Sequence, residues 1–109
     1  MSEIDKITTE LRKFRDERDW AQFHNPKDLA IALSIESGEL LELFLWKAAE
    51  HADAEKIKEE LADVFAYAFM LADKYDLDVA QIMREKLAKN TLKYPVDKAK
   101  GSAKKYTEL

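Results

Sequence analysis

Residues 57–72 read Ile57-Lys-Glu-Glu-Leu-Ala-Asp-Val-Phe-Ala-Tyr-Ala-Phe-Met-Leu-Ala72, and this stretch decides the fold. Ile57, Leu61, Val64, Ala68 and Leu71 recur every three or four residues, the period of an α-helix rather than the alternation of a strand. Asp53 stands where an N-cap is needed, so a helix is predicted from there to about Lys74. From Val64 to Ala72 it is apolar all round except for the phenol of Tyr67. A helix with no polar face is normally covered on every side. In a small bundle each helix keeps one face toward water, so a second copy of the chain is expected to cover this one, and a homo-oligomer is predicted.

The flanking sequence continues the pattern. Upstream, Asn25-Pro26 followed by Asp28 has the chemistry of a helix start: a capping amide, a proline in the first turn and an acid facing the positive end of the dipole. This second helix is expected to run to about Lys47, with a turn centred near Ala49 and Glu50 before the next. Still earlier, Ile4, Ile7, Leu11 and Phe14 form one stripe of a first helix, roughly Ser2 to Arg18. Downstream, Asp78 with Gln81 has capping-box spacing, and Tyr94-Pro95 closes a fourth helix. The chain has 109 residues, 47% hydrophobic and 37% charged, with only two glycines and two prolines. That composition supports a single core built from helices. The expected fold is an all-α antiparallel four-helix bundle over residues 1–94, followed by a basic, irregular tail over 95–109.

Charge and composition exclude several classes. The net charge is −4, the wrong sign for a protein held to nucleic acid by phosphate contacts, so no nucleic-acid partner is expected. The tail departs from this, with Lys98, Lys100, Lys104 and Lys105 against Asp97 and Glu108, and could steer an anion. With no cysteine there is no disulfide framework and no thiolate metal site. The first 18 residues lack the continuous apolar run of a signal peptide. Val64 to Ala72, the longest uncharged run, is too short for a bilayer. A cytoplasmic protein with no membrane partner is the expectation.

The chemistry is expected on helices two and three. Glu36 and Glu39 are spaced i, i+3, as are Glu60 and Asp63, so each pair projects from one face of its own helix. If the two helices run antiparallel about residue 50, the pairs come level and four carboxylates converge. Glu39 with Glu42 and Asp16 with Asp19 share this spacing, and such pairs commonly sit on solvated faces. Glu36 and Glu39, however, lie among Ile31-Ala-Leu-Ser-Ile35 and Leu40-Leu41, and Asp63 opens the apolar run of helix three. Acids converging on core-like surface repel one another unless a divalent cation holds them ionised. All-oxygen ligation suits magnesium, with manganese as the alternative, and magnesium commonly bridges to substrate phosphates. A di-iron bundle would need Glu-x-x-His pairs, which are absent. On helix four, Lys86 and Asn90 lie i, i+4, with Lys93 and Tyr94 a turn further on, as phosphate contacts or an ordinary wet face. Trp20, Phe23, His24 and Trp46 are available either to stack on a base or to pack in a core or interface.

These residues resemble the MazG-like all-α nucleoside triphosphate pyrophosphohydrolases, within them the dCTP pyrophosphatase-like branch. The resemblance is nearly full length. It runs through Arg18-Asp-Trp-Ala-Gln-Phe-His24, Glu36-Ser-Gly-Glu39-Leu, Phe44-Leu-Trp46-Lys47, Glu60-Leu-Ala-Asp63-Val, Tyr67, Lys86, Asn90, Tyr94-Pro95 and Gly101-Ser-Ala-Lys-Lys-Tyr-Thr-Glu-Leu109. It implies magnesium-dependent hydrolysis of a (deoxy)nucleoside triphosphate, dCTP or a modified dCTP, to monophosphate and pyrophosphate, a nucleotide-pool house-cleaning reaction. It further implies magnesium on Glu36, Glu39, Glu60 and Asp63, with Glu39 orienting or deprotonating the attacking water. Trp20 and Trp46 would wall the base pocket, with His24 as a further candidate there. Tyr67 would lie near the nucleotide, and Lys86 and Asn90, with Lys93 and Tyr94 beside them, would contact phosphates. The assembly implied is a homotetramer, a dimer of dimers.

Two features depart from that branch. Nine residues before the first pocket tryptophan its dCTP-specific members carry a histidine, and here Leu11 cannot hydrogen-bond a base. The link Lys47-Ala-Ala-Glu-His-Ala-Asp53 is also shorter than the Pro-containing loop of those relatives. The base preference is therefore open to another dNTP such as dUTP, and a non-catalytic helical interaction module is the remaining alternative.

Overall fold

A computed structural model describes residues 1–109. It is all-helical, with five helices and no strand: α1 (Glu3–Glu17), α2 (Pro26–Glu42), α3 (Ala54–Lys74), α4 (Val79–Lys93) and a short α5 (Val96–Ala99). Single 3-10 turns occupy Ala21–Phe23, Ala49–His51 and Tyr106–Glu108. No helix is long and apolar enough to cross a membrane. The chain forms two compact units, Met1–Leu77 and Asp78–Leu109.

In the first unit α1 and α2 both pack on α3. Their starts follow the capping rules. The Ser2 hydroxyl accepts from the Asp5 amide while the Asp5 carboxylate accepts from the Ser2 amide, a complete capping box. Asn25 accepts from the Asp28 amide at 2.9 Å, and Asp53 accepts from the Glu55 and Lys56 amides. Leu29, 1% exposed, is the deepest side chain, with Met70 and Ala72 also buried. Arg12 grips Asp73 with two hydrogen bonds, tying α1 to the C-terminal part of α3. That pairing holds the Asp73 carboxyl below the usual carboxylate range.

The end of α2 differs from the expectation of a helix to about Lys47. The helix stops at Glu42, and the amides of Leu43, Phe44 and Leu45 bond back to the carbonyls of Leu40, Leu41 and Glu42 in tightened turns. Trp46 then takes φ 60°. A left-handed residue cannot continue a right-handed helix, and it reverses the chain toward α3. Large apolar side chains are left in water on this unit, among them Phe65, 52% exposed, with Ile31, Ile35 and Leu41.

In the second unit Asp78 caps α4 by accepting from the Gln81 amide at 2.9 Å. The reciprocal half of the box is not made, and the Gln81 side-chain amide donates to Glu85 Oε1. The tail, expected to be irregular, contains α5 and the turn at Tyr106–Glu108. Pro95 presets the start of α5 and Asp97 lies in its first turn. Tyr106 packs edge-on against Tyr94 at 6.1 Å, under the Lys93 ammonium at 4.8 Å.

Candidate active site

α2 presents Glu36 and Glu39 one turn apart, and α3 does the same with Glu60 and Asp63. The chain reverses between the helices, and the two faces meet. Glu36, Glu60 and Asp63 offer carboxylate oxygens that all lie within 4.8 Å of one another. The Glu39 carboxyl is within hydrogen-bonding reach of both Glu36 and Glu60. Glu36 and Glu60 are half-buried and Asp63 is exposed, so the cluster sits at the edge of the core.

No hydrogen-bond donor relieves this cluster. Glu36 Oε2 and Glu60 Oε2 are buried and have no partner, and ionised carboxylates accept but cannot donate. Burial, and after it the neighbouring acids Glu39, Asp63 and Glu60, push Glu36 up to about 7. Glu60 is also raised, by burial first and then by Glu39. The Tyr67 hydroxyl is raised by burial, then by the charges of Glu36, Asp63 and Glu39, so the phenol stands alongside the acids. Two orphaned, buried, hard oxygen donors among four acids fit a hard divalent cation, which would replace the missing donors and neutralise the repulsion.

Beside the acids, a cavity of about 250 Å³ opens between α1 and α3. Asp63 and Tyr67 belong to its wall, so cavity and carboxylates are continuous. Phe14, Trp20 and His24 complete an aromatic lining. Trp20 meets Phe14 edge-on at 5.8 Å and His24 meets Tyr67 at 6.4 Å. His24 Nδ1 is buried without a partner. Its pKa is lowered, chiefly by burial and then by Arg15 and Lys74, which leaves the imidazole neutral at pH 7.

Of the residues singled out in the sequence, Glu36, Glu39, Glu60, Asp63, Trp20, His24 and Tyr67 thus come together. Leu11 supplies an apolar part of the cavity wall. Trp46 does not line this cavity; at the turn after α2 it is 98% exposed. Lys86 is exposed and Asn90 half-buried on α4, while Lys93 and Tyr94 are engaged by Tyr106 of the tail. Arg15 was not anticipated from the sequence, yet it lines the cavity. Its i, i+4 spacing from Leu11 on α1 was the available signal.

Fold and site together define an all-helical protein with a carboxylate centre suited to a hard divalent cation, beside an aromatic cavity. The chain belongs to the MazG-like family, whose sequence profile matches residues 31–109. It is 41% identical over 105 residues to dCTP pyrophosphatase 1 of Mus musculus, and 39% identical to that of Homo sapiens. Both alignments take in 89% of this chain, which spans 62% of the length of those curated relatives. A solved structure of a pyrophosphatase from Archaeoglobus fulgidus DSM 4304 is 34% identical, with a TM-score of 0.80 over 87% of this chain and 94% of that one.

Proposed function

We propose that this chain is a cytoplasmic nucleoside triphosphate pyrophosphohydrolase that cleaves dCTP, a modified dCTP or another dNTP such as dUTP to the monophosphate and pyrophosphate. The observation that carries the reading is the pair of orphaned oxygens on Glu36 and Glu60, among four acids that open onto an aromatic cavity. The relatives named dCTP pyrophosphatase 1 and the pyrophosphatase of similar fold support it. A house-cleaning role on the free nucleotide pool accounts for the cytoplasmic assignment.

Glu36, Glu39, Glu60 and Asp63 would hold the cation, magnesium with manganese as the alternative. When bound, it supplies charge neutralisation for a polyphosphate that four acids alone would repel. Trp20, His24 and Tyr67 give the base an aromatic seat. Glu39 orients a water toward the α-phosphorus and takes its proton, the role of a general base. Lys86 and Asn90, with Lys93 and Tyr94, are assigned to phosphate contact through the family resemblance, and the basic tail over 95–109 to attraction of the anion.

The chain is further proposed to work as a homo-oligomer, a tetramer by the same resemblance. Support comes from the scant core, Leu29, Met70 and Ala72, beside exposed Phe65, Ile35 and Leu41. Sedimentation at micromolar concentration is expected to give a species of at least twice the chain mass, and a monomer would refute this. For the activity, purified protein with Mg2+ is expected to release pyrophosphate and no orthophosphate from one or more members of a canonical and modified dNTP panel. Release of neither from every member would end the reading.

A further inference from the structure

Arg15 projects from α1 into the wall of the aromatic cavity, one turn beyond Leu11. Its side chain is only 13% exposed, and its Nε donates to Asp16 Oδ1 at 2.9 Å. The two terminal nitrogens make no hydrogen bond within the chain, and a guanidinium can only donate. These nitrogens are not sealed from solvent, so they stand open at the cavity wall, where a ligand atom that accepts can take the place of water. Leu11 offers none.

Direction matters as much as chemistry. Arg12, three residues before Arg15 on α1, is hydrogen-bonded to Asp73, and Arg15 shares the cavity wall with Met70, so Arg15 lies toward the C-terminal part of α3 and away from Glu60. Asp63, at the acid end, and Asp73 are ten residues apart on α3, about 15 Å along the helix. With the phosphates held at the acids, the sugar-linked N1 of a pyrimidine lies toward Asp63. The ring atom opposite N1 is C4, whose substituent therefore points to the Arg15 end. In uracil and thymine that substituent is a carbonyl oxygen; in cytosine it is an amine.

We propose that Arg15 reads the nucleobase, donating to a C4 carbonyl, so that the cavity takes a keto pyrimidine nucleotide alongside a cytosine nucleotide. The volume of about 250 Å³ lies below the roughly 300–1,000 Å³ of pockets for drug-sized ligands, which suits a single ring.

The inference rests on the pyrophosphohydrolase reading, and its test separates the two. Steady-state pyrophosphate release from dUTP, dTTP and dCTP is measured for wild type, Arg15→Leu and Arg15→Gln. In parallel, dUMP and dCMP affinities are measured by calorimetry without metal. Circular dichroism identifies the folded variants, and either one suffices because Asp16 is the only side chain hydrogen-bonded to Arg15. The dUTP:dCTP ratio of kcat/KM is expected to fall about tenfold or more in the Arg15 variants, with the dUMP:dCMP affinity ratio following. Ratios within threefold of wild type in the Arg15 variants, whatever the overall rates, would overturn the proposal. Should no triphosphate be hydrolysed while the mononucleotide ratio still shifts, the hydrolase reading fails and Arg15 keeps its role. Absence of both hydrolysis and mononucleotide binding overturns both.

Discussion

Replacing Glu39 by Gln and Asp63 by Asn together is expected to reduce magnesium-dependent pyrophosphate release about a thousandfold or more while raising the melting temperature measured in EDTA. The first effect combines loss of a general base, worth about 10²–10⁴-fold, with loss of two anionic donors for a hard cation. The second follows from repulsion. Glu36 and Glu60 carry buried oxygens with no donor, and Glu39 and Asp63 are among the charges that raise them. An amide is neutral and can donate, so the double variant removes two like charges and satisfies the orphaned atoms. Activity and folded-state stability should therefore move in opposite directions, as they do where a site is strained for function. Pyrophosphate release equal in wild type and variant would show that the acids are not the catalytic centre. A lower melting temperature in EDTA would show that they are not frustrated without metal.

The second large effect is a proton–metal competition. Glu36 is raised from 4.5 to about 7, so between those values the folded chain holds a proton that the unfolded chain has released. Metal-free stability contributed by this group is present below pH 4.5 and is lost as pH rises through 7. His24 acts with the opposite sign: its lowered pKa gives a contribution that is present above the ordinary value of 6.5 and is lost as pH falls. Comparison with Glu36→Gln isolates the carboxyl. In EDTA, at fixed protein concentration, the melting temperature of Glu36→Gln is expected to gain on wild type as pH rises from 5 to about 7 and to level off above that. In parallel, the stabilisation of wild type by saturating Mg2+ should grow over the same interval, because the cation must displace the Glu36 proton at low pH. The shift is expected to be on the order of 5 °C at pH 8. A magnesium shift that is flat with pH would exclude Glu36 from the ligand set.

Much of this was legible because local chemistry spells it out. Asp53, Asn25 and Asp78 occupy N-cap positions as their side chains dictate, and the two i, i+3 acid pairs needed only one chain reversal to meet. The end of α2 was not legible. Leu43 to Trp46 contain no glycine or proline, and the reversal there depends on a tryptophan in the left-handed region, a conformation that sequence does not announce. The ordered tail was missed for a related reason. Its lysines suggest a solvated segment, whereas Pro95 and the contacts of Tyr106 with Tyr94 and Lys93 give it shape. Arg15 escaped attention because a charged residue beside Asp16 on an amphipathic helix resembles any surface ion pair. Only the fold shows that the cavity lies beneath it.

The two tryptophans differ in their surroundings: Trp20 lies partly covered against Phe14 in the cavity wall, and Trp46 stands 98% exposed at the turn after α2. The chain therefore carries two intrinsic fluorophores, one beside the cavity and one away from it. Trp46 emits as a water-exposed indole and moves to the blue when another surface covers the turn. Trp20, 44% exposed beside Phe14, changes intensity when a ring enters beside it. Assembly and nucleotide entry can thus be followed separately on the unlabelled protein, through Trp46 in a Trp20→Phe variant and through Trp20 in a Trp46→Phe variant.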